Sequence, residues 1–431
     1  MTSESDTLDA IVVGAGWAGL GVSYYLTQAG LRHRVLERGR VGETWRIQRW
    51  DSFRLNIPNI QTVMPGDQYS GPDPEGAMTR DEFVALLEDF AERNRLPIEP
   101  DSAVTELAPD QAAGVYRLVT VRGTLRARNV VIASGNLNCP LRPAWAAGLP
   151  RSLCQIDTSA YRNPGALHPG AVLVVGSGQS GAQIADDLAQ AGRPVFLATS
   201  QVGRARRRYR GRDIMIWLVQ CGLFDVPRKE FVQSSGRIAP RPLFGAQHTI
   251  SLQSLSAQGV VLLGRFNGIE SDGRLSFADD LENNMSFADE ASTKMQRQID
   301  DYIARTGIDA PRAEPDPAET VAVRLPNPPI RSLDLAERGI TTVIWCTGFQ
   351  GDFTWVRLPG ALDTRGQPVH EDGVTKHRGF YFAGLDLAVT RKSGTILAVT
   401  DESARLVEHI TRHGAMSGQD AHISRGSPVA R

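Results

Sequence analysis

Two stretches of this chain have the residue types and spacing to hold a dinucleotide. "VVGAGWAGL" (Val12 to Leu20) sets Gly14, Gly16 and Gly19 in a G-x-G-x-x-G turn, and "VVGSGQSG" (Val174 to Gly181) repeats it with Gly176, Gly178 and Gly181. In such a turn the first glycine permits the sharp bend. The second lets backbone approach a pyrophosphate, and the third lets the helix pack closely on the strand.

The two turns differ in the strand that comes next. After the first, "LRHRVLER" reads as a strand ending at Glu37, where an acid holds a ribose hydroxyl pair. After the second, "RPVFLATS" ends without an acid; Thr199 and Ser200 come next, then "QVGRARRRYRGR". Hydroxyls and arginines in place of an acid favour a ribose carrying a 2′-phosphate, with Arg204 and Arg206 nearest the turn. A solvated basic patch is the plain alternative, above all for Arg207, Arg208 and Arg210. Together the turns suggest FAD on the first and NADPH on the second, with hydride passing between them.

The elements around each turn agree. "DAIVVG" and "AVLVVG" are nearly all-apolar runs, as in parallel strands covered on both faces, and each turn continues with helical spacing. In "MTRDEFVALLEDFAERNRL", Thr79 and Glu82 have capping-box spacing and Phe83, Leu86, Leu87 and Phe90 share a helical face. "DIMIWLVQCGLF" is a buried helix or a lid, Asp279 to Arg305 reads as a helix, and prolines at 326, 328 and 329 mark a linker. The fold class is α/β: two Rossmann-like dinucleotide-binding domains, the second inserted into the first. Expected boundaries are 1–165 (FAD domain, first part), 166–320 (NADPH domain) and 321–431 (FAD domain, C-terminal part).

Composition narrows the function classes. With 431 residues, 47 basic and 48 acidic side chains, the chain carries a formal charge of −1, so no net field draws it to nucleic acid or anionic lipid. No apolar run has the length of a membrane span, and the first residues lack a signal-peptide pattern. The expected location is cytoplasmic. The four cysteines, Cys139, Cys154, Cys221 and Cys346, lie singly, without metal-ligand or redox-pair spacing, so no metal is expected. Expected partners are a small-molecule substrate and molecular oxygen; a homodimer is left open.

Nearly end to end, the chain resembles the class B flavoprotein monooxygenases: flavin-containing monooxygenases, N-hydroxylases and Baeyer–Villiger enzymes. The resemblance rests on the two turns in this order, on Ala133-Ser134-Gly135 and Cys346-Thr347-Gly348 at strand ends, and on Gly42-Glu43-Thr44-Trp45 for a flavin loop. "WDSFRLN" matches a motif whose asparagine faces the reactive edge of the flavin, which assigns the catalytic role to Asn56. "YFAGLDLAVTRKSGTILAV" looks like the C-terminal flavin segment and implies Gly384, with the amides of Gly394 and Thr395 at the pyrimidine end. The resemblance further implies Arg38, Trp45, Val104, Ser134 and Gly135 around FAD, and Gln179, Ser180, Thr347 and Gly348 among the cofactor contacts. The chain departs from the pattern at Glu43 and, in the linker "RSLCQIDTSAY", at Arg151, Leu153 and Asp157; Tyr161 is retained.

The implied activity is an NADPH-using, FAD-dependent monooxygenase forming a flavin C4a-hydroperoxide that oxygenates an amine nitrogen or a sulfur. Baeyer–Villiger oxidation of a carbonyl is a variant. The rival is an NADPH-dependent flavin reductase or oxidase passing electrons to oxygen or another acceptor.

Overall fold

The computed structural model describes residues 7–110, 113–232 and 241–423. The first glycine turn leaves the strand Thr7–Val13 and enters the helix Trp17–Gln28. That strand pairs in parallel with His33–Leu36 on one side and with Gly123–Ile132 on the other. The long strand Gly123–Ile132 has two roles. Its first half closes an antiparallel meander with Val115–Thr120 and Val104–Asp110, and its second half pairs in parallel with Phe380–Phe382. The C-terminal part of the chain thereby returns to the first sheet, as an inserted second domain requires.

The second sheet is all parallel, in the order Val261–Leu263, Val195–Ala198, Ala171–Val175, Ile340–Trp345, Cys154–Asp157. Every residue of Ala171–Val175 and of Val195–Ala198 is buried, which is why these runs carry no polar alternation. Two of the five strands lie outside the expected limits of 166 and 320. Cys154–Asp157 precedes the insertion point and Ile340–Trp345 comes after the proline-rich linker, yet both belong to this sheet. A short apolar strand has the same pattern in either domain; its pairing with Ala171–Val175 decides, and periodicity does not carry that information.

The local helix signals hold. Thr79 caps the helix Arg80–Arg93: its hydroxyl accepts from the Glu82 N–H at 3.2 Å while Glu82 Oε2 accepts from the Thr79 N–H at 2.7 Å. Residues Ile214–Gln220 form a helix with Ile214, Met215, Trp217 and Leu218 buried, so the apolar run is core. The helix Leu281–Thr306 reaches the loop after the second turn, and Val399–Ile423 packs against Trp17–Gln28. Among the described residues no helix is long and apolar enough to cross a membrane, and no group of side chains could hold a metal ion.

Candidate dinucleotide sites and the seam between them

The two turns are close copies at the atomic level. Gly14 has φ 108° and Gly176 φ 105°, a region other residues avoid, and a β-carbon on either would lie 2.6 Å from the Ala133 carbonyl oxygen or 2.5 Å from that of Cys346. A β-carbon on Gly19 would lie 1.9 Å from the Gly14 oxygen, and one on Gly181 1.8 Å from the Gly176 oxygen. Helix and strand could not approach with any larger residue. Gly16 and Gly178 are different: a β-carbon there meets nothing within 4 Å. Their missing side chains leave room on the outer side of the turn, where a pyrophosphate approaches a helix N-terminus.

A cleft of about 450 Å³ opens over the first turn. Gly14, Gly16, Glu37, Arg38, Trp45, Val104, Ser134, Gly135, Gly384 and Gly394, dispersed along the sequence, all form its wall. Buried Glu37 accepts from the Ala15 N–H at 2.8 Å and the Gly39 N–H at 3.0 Å, which fixes its carboxylate beside the turn. Ser134 Oγ and Asn138 Oδ1, also in the wall, are buried without a protein partner among the described residues. Unpartnered polar atoms, an acid at the ribose position and an open glycine turn fit a dinucleotide with a polar ring system. Glu43 enters the same wall but pairs with Arg40 at 2.9 Å, which holds its carboxyl below the usual carboxylate range.

Several expected contacts are not made available. Thr395 donates its N–H to the Lys392 carbonyl at 3.0 Å and its hydroxyl to the same oxygen at 2.6 Å, so its amide is taken up by the turn before the C-terminal helix. Thr347 donates to the Leu141 carbonyl at 2.5 Å; Thr347 and Gly348 follow Cys346, whose carbonyl backs the second turn, and neither is in the wall of the first cleft.

The second turn receives fewer of its expected residues. Ser200 stands at the end of Val195–Ala198, its N–H held by Ser177 Oγ at 3.0 Å, and Ser180 lies in the first turn of the next helix. Thr199 is buried and donates to the Leu263 carbonyl at 2.7 Å. Gln179 is bonded to the Phe244 backbone through both amide atoms, at 2.6 and 3.0 Å. Arg204 and Arg206 are corrected most plainly. Arg204 pairs with Asp289 at 2.6 Å and with Glu319, and Arg206 with Glu319 at 2.6 Å. A buried guanidinium needs a carboxylate, and here the chain supplies it from the helix Leu281–Thr306 and the linker. Arg207, Arg208 and Arg210 are likewise paired, with Asp213, Glu75 and Asp300, so the arginine run is not a set of free, solvated charges.

Asn56 lies at the seam between the domains. Its Oδ1 accepts from Gln183 Nε2 at 2.9 Å and its carbonyl from Arg207 at 2.8 Å. Gln183 belongs to a stripe that sequence reasoning missed: Gln179, Gln183 and Asp187 recur one helical turn apart on Gln179–Gln190. Gln183 also donates to the Phe244 carbonyl at 2.9 Å. Asp187 accepts from Ser52 at 2.6 Å and from Tyr161 at 2.5 Å. Burial and then the Asp187 bond push the Tyr161 hydroxyl pKa far up, so Tyr161 is a permanent donor. The readable signal was the polar i, i+4, i+8 spacing along the helix Gln179–Gln190, with Gln183 falling among the apolar residues Ala182, Ile184 and Ala185. The linker departure at Asp157 also has a local partner, Arg142, at 3.0 Å.

Comparison with known proteins agrees with this architecture. The profile of the pyridine nucleotide-disulphide oxidoreductase family matches residues 11–219. The chain is 31% identical over 415 residues to the "uncharacterized oxidoreductase CzcO-like" of Geobacillus kaustophilus, covering 94% of this chain and 99% of that protein. It is 32% identical over 188 residues to the indole-3-pyruvate monooxygenase YUCCA1 of Oryza sativa subsp. japonica, covering 42% of this chain and 45% of that protein. A flavin-containing monooxygenase structure from Stenotrophomonas maltophilia superimposes with a TM-score of 0.63 at 18% identity, over 95% of this chain and 99% of that one. The chain belongs to the CzcO-like oxidoreductases.

Proposed function

We propose that the chain binds FAD in the cleft over Gly14–Gly19 and NADPH over Gly176–Gly181, and inserts one atom of O2 into a small molecule. In the balanced reaction NADPH, a proton, O2 and the substrate give NADP⁺, water and the substrate bearing one added oxygen. A soft nucleophile, an amine nitrogen or a sulfur, is the substrate class we favour. A flavin held in this cleft would, once reduced, supply the oxygen-activating chemistry.

The chain's own residues do the positioning. Glu37 is held by two backbone amides beside the first turn, where it would take the FAD ribose hydroxyls. At the second turn, the absent acid and Ser200 leave room for a 2′-phosphate. The observation that carries the reading is the seam. The loop leaving the flavin cleft at Trp45 runs through Ser52 and Asn56, and both bond the helix that begins at the NADPH turn. Asn56 keeps its amide N–H groups for a ligand because Gln183 occupies its oxygen. A fixed, non-titrating donor between two cofactors is suited to holding a negatively charged oxygen or the nicotinamide while water is excluded.

Stopped-flow spectra of the reduced protein mixed with oxygen, with NADP⁺ bound, test the reading. A transient absorbance distinct from both reduced and oxidised flavin is expected, with peroxide release well below stoichiometric when substrate is present. Direct return to oxidised flavin with one peroxide per NADPH would establish the oxidase alternative instead.

A further inference from the structure

Among the described residues Arg49 lacks the carboxylate partner that several neighbouring arginines have. Arg40 pairs with Glu43, Arg46 with Glu88, and Arg80 with Asp51 and Asp81. Arg49, at the end of the short helix Glu43–Gln48, has no carboxylate partner among the described residues. Its guanidinium lies 4.8 Å from the Trp45 ring centre and 5.6 Å from that of Phe53, and it donates to the Gln48 carbonyl at 3.0 Å. It forms part of the cleft wall with Trp45 and Asn138. Burial alone pushes its pKa down to about 10, which leaves it charged at neutral pH.

The acids that share this wall are committed elsewhere. Glu37 accepts from two backbone amides, Glu43 pairs with Arg40, and Asp352 accepts from the Thr354 N–H at 3.0 Å and its hydroxyl at 2.7 Å. A half-buried guanidinium keeps only part of its water, so without an anion it carries a desolvation cost that no ion pair offsets. The chain carries that cost beside a cleft whose Ser134 Oγ and Asn138 Oδ1 also lack protein partners. The negative faces of Trp45 and Phe53 offset only a part of it. The remainder points to a negative charge supplied from within the cleft.

We propose that Arg49 is the counter-charge for the negative charge that appears in this cleft when the bound flavin is reduced, a proposal that rests on the reading of the cleft as the FAD site. Hydride from NADPH brings two electrons and one proton to a neutral ring system and leaves it with one negative charge. Arg49 therefore favours the reduced form over the oxidised one, acting as a positioning charge and neither giving nor taking a proton.

The test uses the full-length protein loaded with FAD, and its Arg49→Lys and Arg49→Met variants. Flavin midpoint potentials are measured against reference dyes, and the ionisation of the reduced flavin is followed by absorbance against pH. In Arg49→Met the preference for reduced over oxidised FAD should fall at least tenfold, a drop of about 30 mV for a two-electron couple. The reduced flavin should ionise at a higher pH, and Arg49→Lys should recover most of both effects. An unchanged potential in a fully loaded Arg49→Met protein would overturn the proposal and leave Arg49 as a packing residue on Trp45, whose loss shows only in melting temperature. If Arg49→Met does not load, Arg49→Gln, closer in shape, carries the same measurement. Failure of the unmodified chain to retain FAD would instead refute the cofactor assignment itself, an outcome separate from an unchanged potential.

Discussion

Gln183 Nε2 donates to Asn56 Oδ1 at 2.9 Å, joining the helix after the second glycine turn to the loop that leaves the first cleft. The bond fixes which end of the Asn56 amide is free. Asn56→Leu should leave FAD binding and reduction by NADPH nearly intact while diverting most NADPH to hydrogen peroxide. Gln183→Leu keeps Asn56 but frees its amide to rotate. It should show the same uncoupling to a lesser degree, roughly fivefold for a bond worth about 1 kcal/mol. Peroxide formed per NADPH consumed, measured in both variants, checks this; a coupled Gln183→Leu enzyme would detach the seam from catalysis.

The open space beside Gly16 and Gly178 makes a cleaner test of the two sites than the other glycines can. Gly16→Val should fold and melt like the parent chain stripped of cofactor, because its β-carbon meets no protein atom within 4 Å, yet it should be colourless. Gly178→Val should remain yellow and lose reduction by NADPH. Gly19→Val and Gly181→Val, whose β-carbons would overlap backbone oxygens at 1.9 and 1.8 Å, should instead lower stability by several kcal/mol, as overpacking against backbone does. Flavin content and melting temperature separate the four. Full flavin in Gly16→Val would remove the first turn from cofactor binding.

Much of this was legible in the sequence because the first site is built from local signals. Strand, turn, helix and acid succeed one another, and Gly14, Gly16, Glu37, Arg38 and Trp45 reach one cleft with the later Ser134, Gly135, Gly384 and Gly394. The second site was read less well for an identifiable reason. "RARRR" states that five positions carry charge or a small side chain, but not that Asp289 and Glu319 lie against Arg204 and Arg206. Those partners are far along the chain, and a charge looks the same in sequence whether or not it is already paired. The fourth and fifth strands of the second sheet escaped assignment for the same reason: pairing across an insertion is a long-range fact. Gln183 and Asp187 were within reach, since polar residues at helical spacing on an apolar face demand partners.

A pH dependence should be measurable beside the helix that leaves the second turn. His248 Nε2 lies 3.1 Å from Asp186 Oδ2, and the bond to Asp186, with a smaller contribution from Asp316, raises its pKa against the opposing effect of burial. A folded-state pKa above the unfolded value means that the stabilisation is fully present below the unfolded pKa and is lost as pH rises through the folded one. Asp186 also accepts from Gln190 at 2.8 Å and Gln258 at 3.0 Å, so Asp186→Asn should return the His248 titration, followed by NMR, toward the ordinary imidazole value. A titration unchanged by Asp186→Asn would show that the pair does not form in solution.

Nucleotide preference should be governed by Ser200 and not by the arginines beyond it. Arg204 is buried, with its guanidinium bonded to Asp289, Ser292 and Glu319. Removing it leaves Glu319 with Arg206 alone and takes the arginine from Asp289; both arginines hold the Glu319 carboxyl below its usual pKa against the effect of burial. Arg204→Ala should therefore destabilise the protein by about 3–5 kcal/mol, as breaking a buried ion pair does, and change the NADPH/NADH ratio little. Ser200→Asp places a carboxylate directly after Thr199, the residue in register with Glu37 of the first unit, where a 2′-phosphate would be repelled. It should raise the NADPH KM at least tenfold, about 1.4 kcal/mol, and lower that for NADH. Steady-state kinetics with both nucleotides, alongside melting temperatures, distinguish the two expectations. A large loss of NADPH preference in a stable Arg204→Ala protein would mean that Arg204 leaves Glu319 to meet the 2′-phosphate, and would restore the arginine to the nucleotide site.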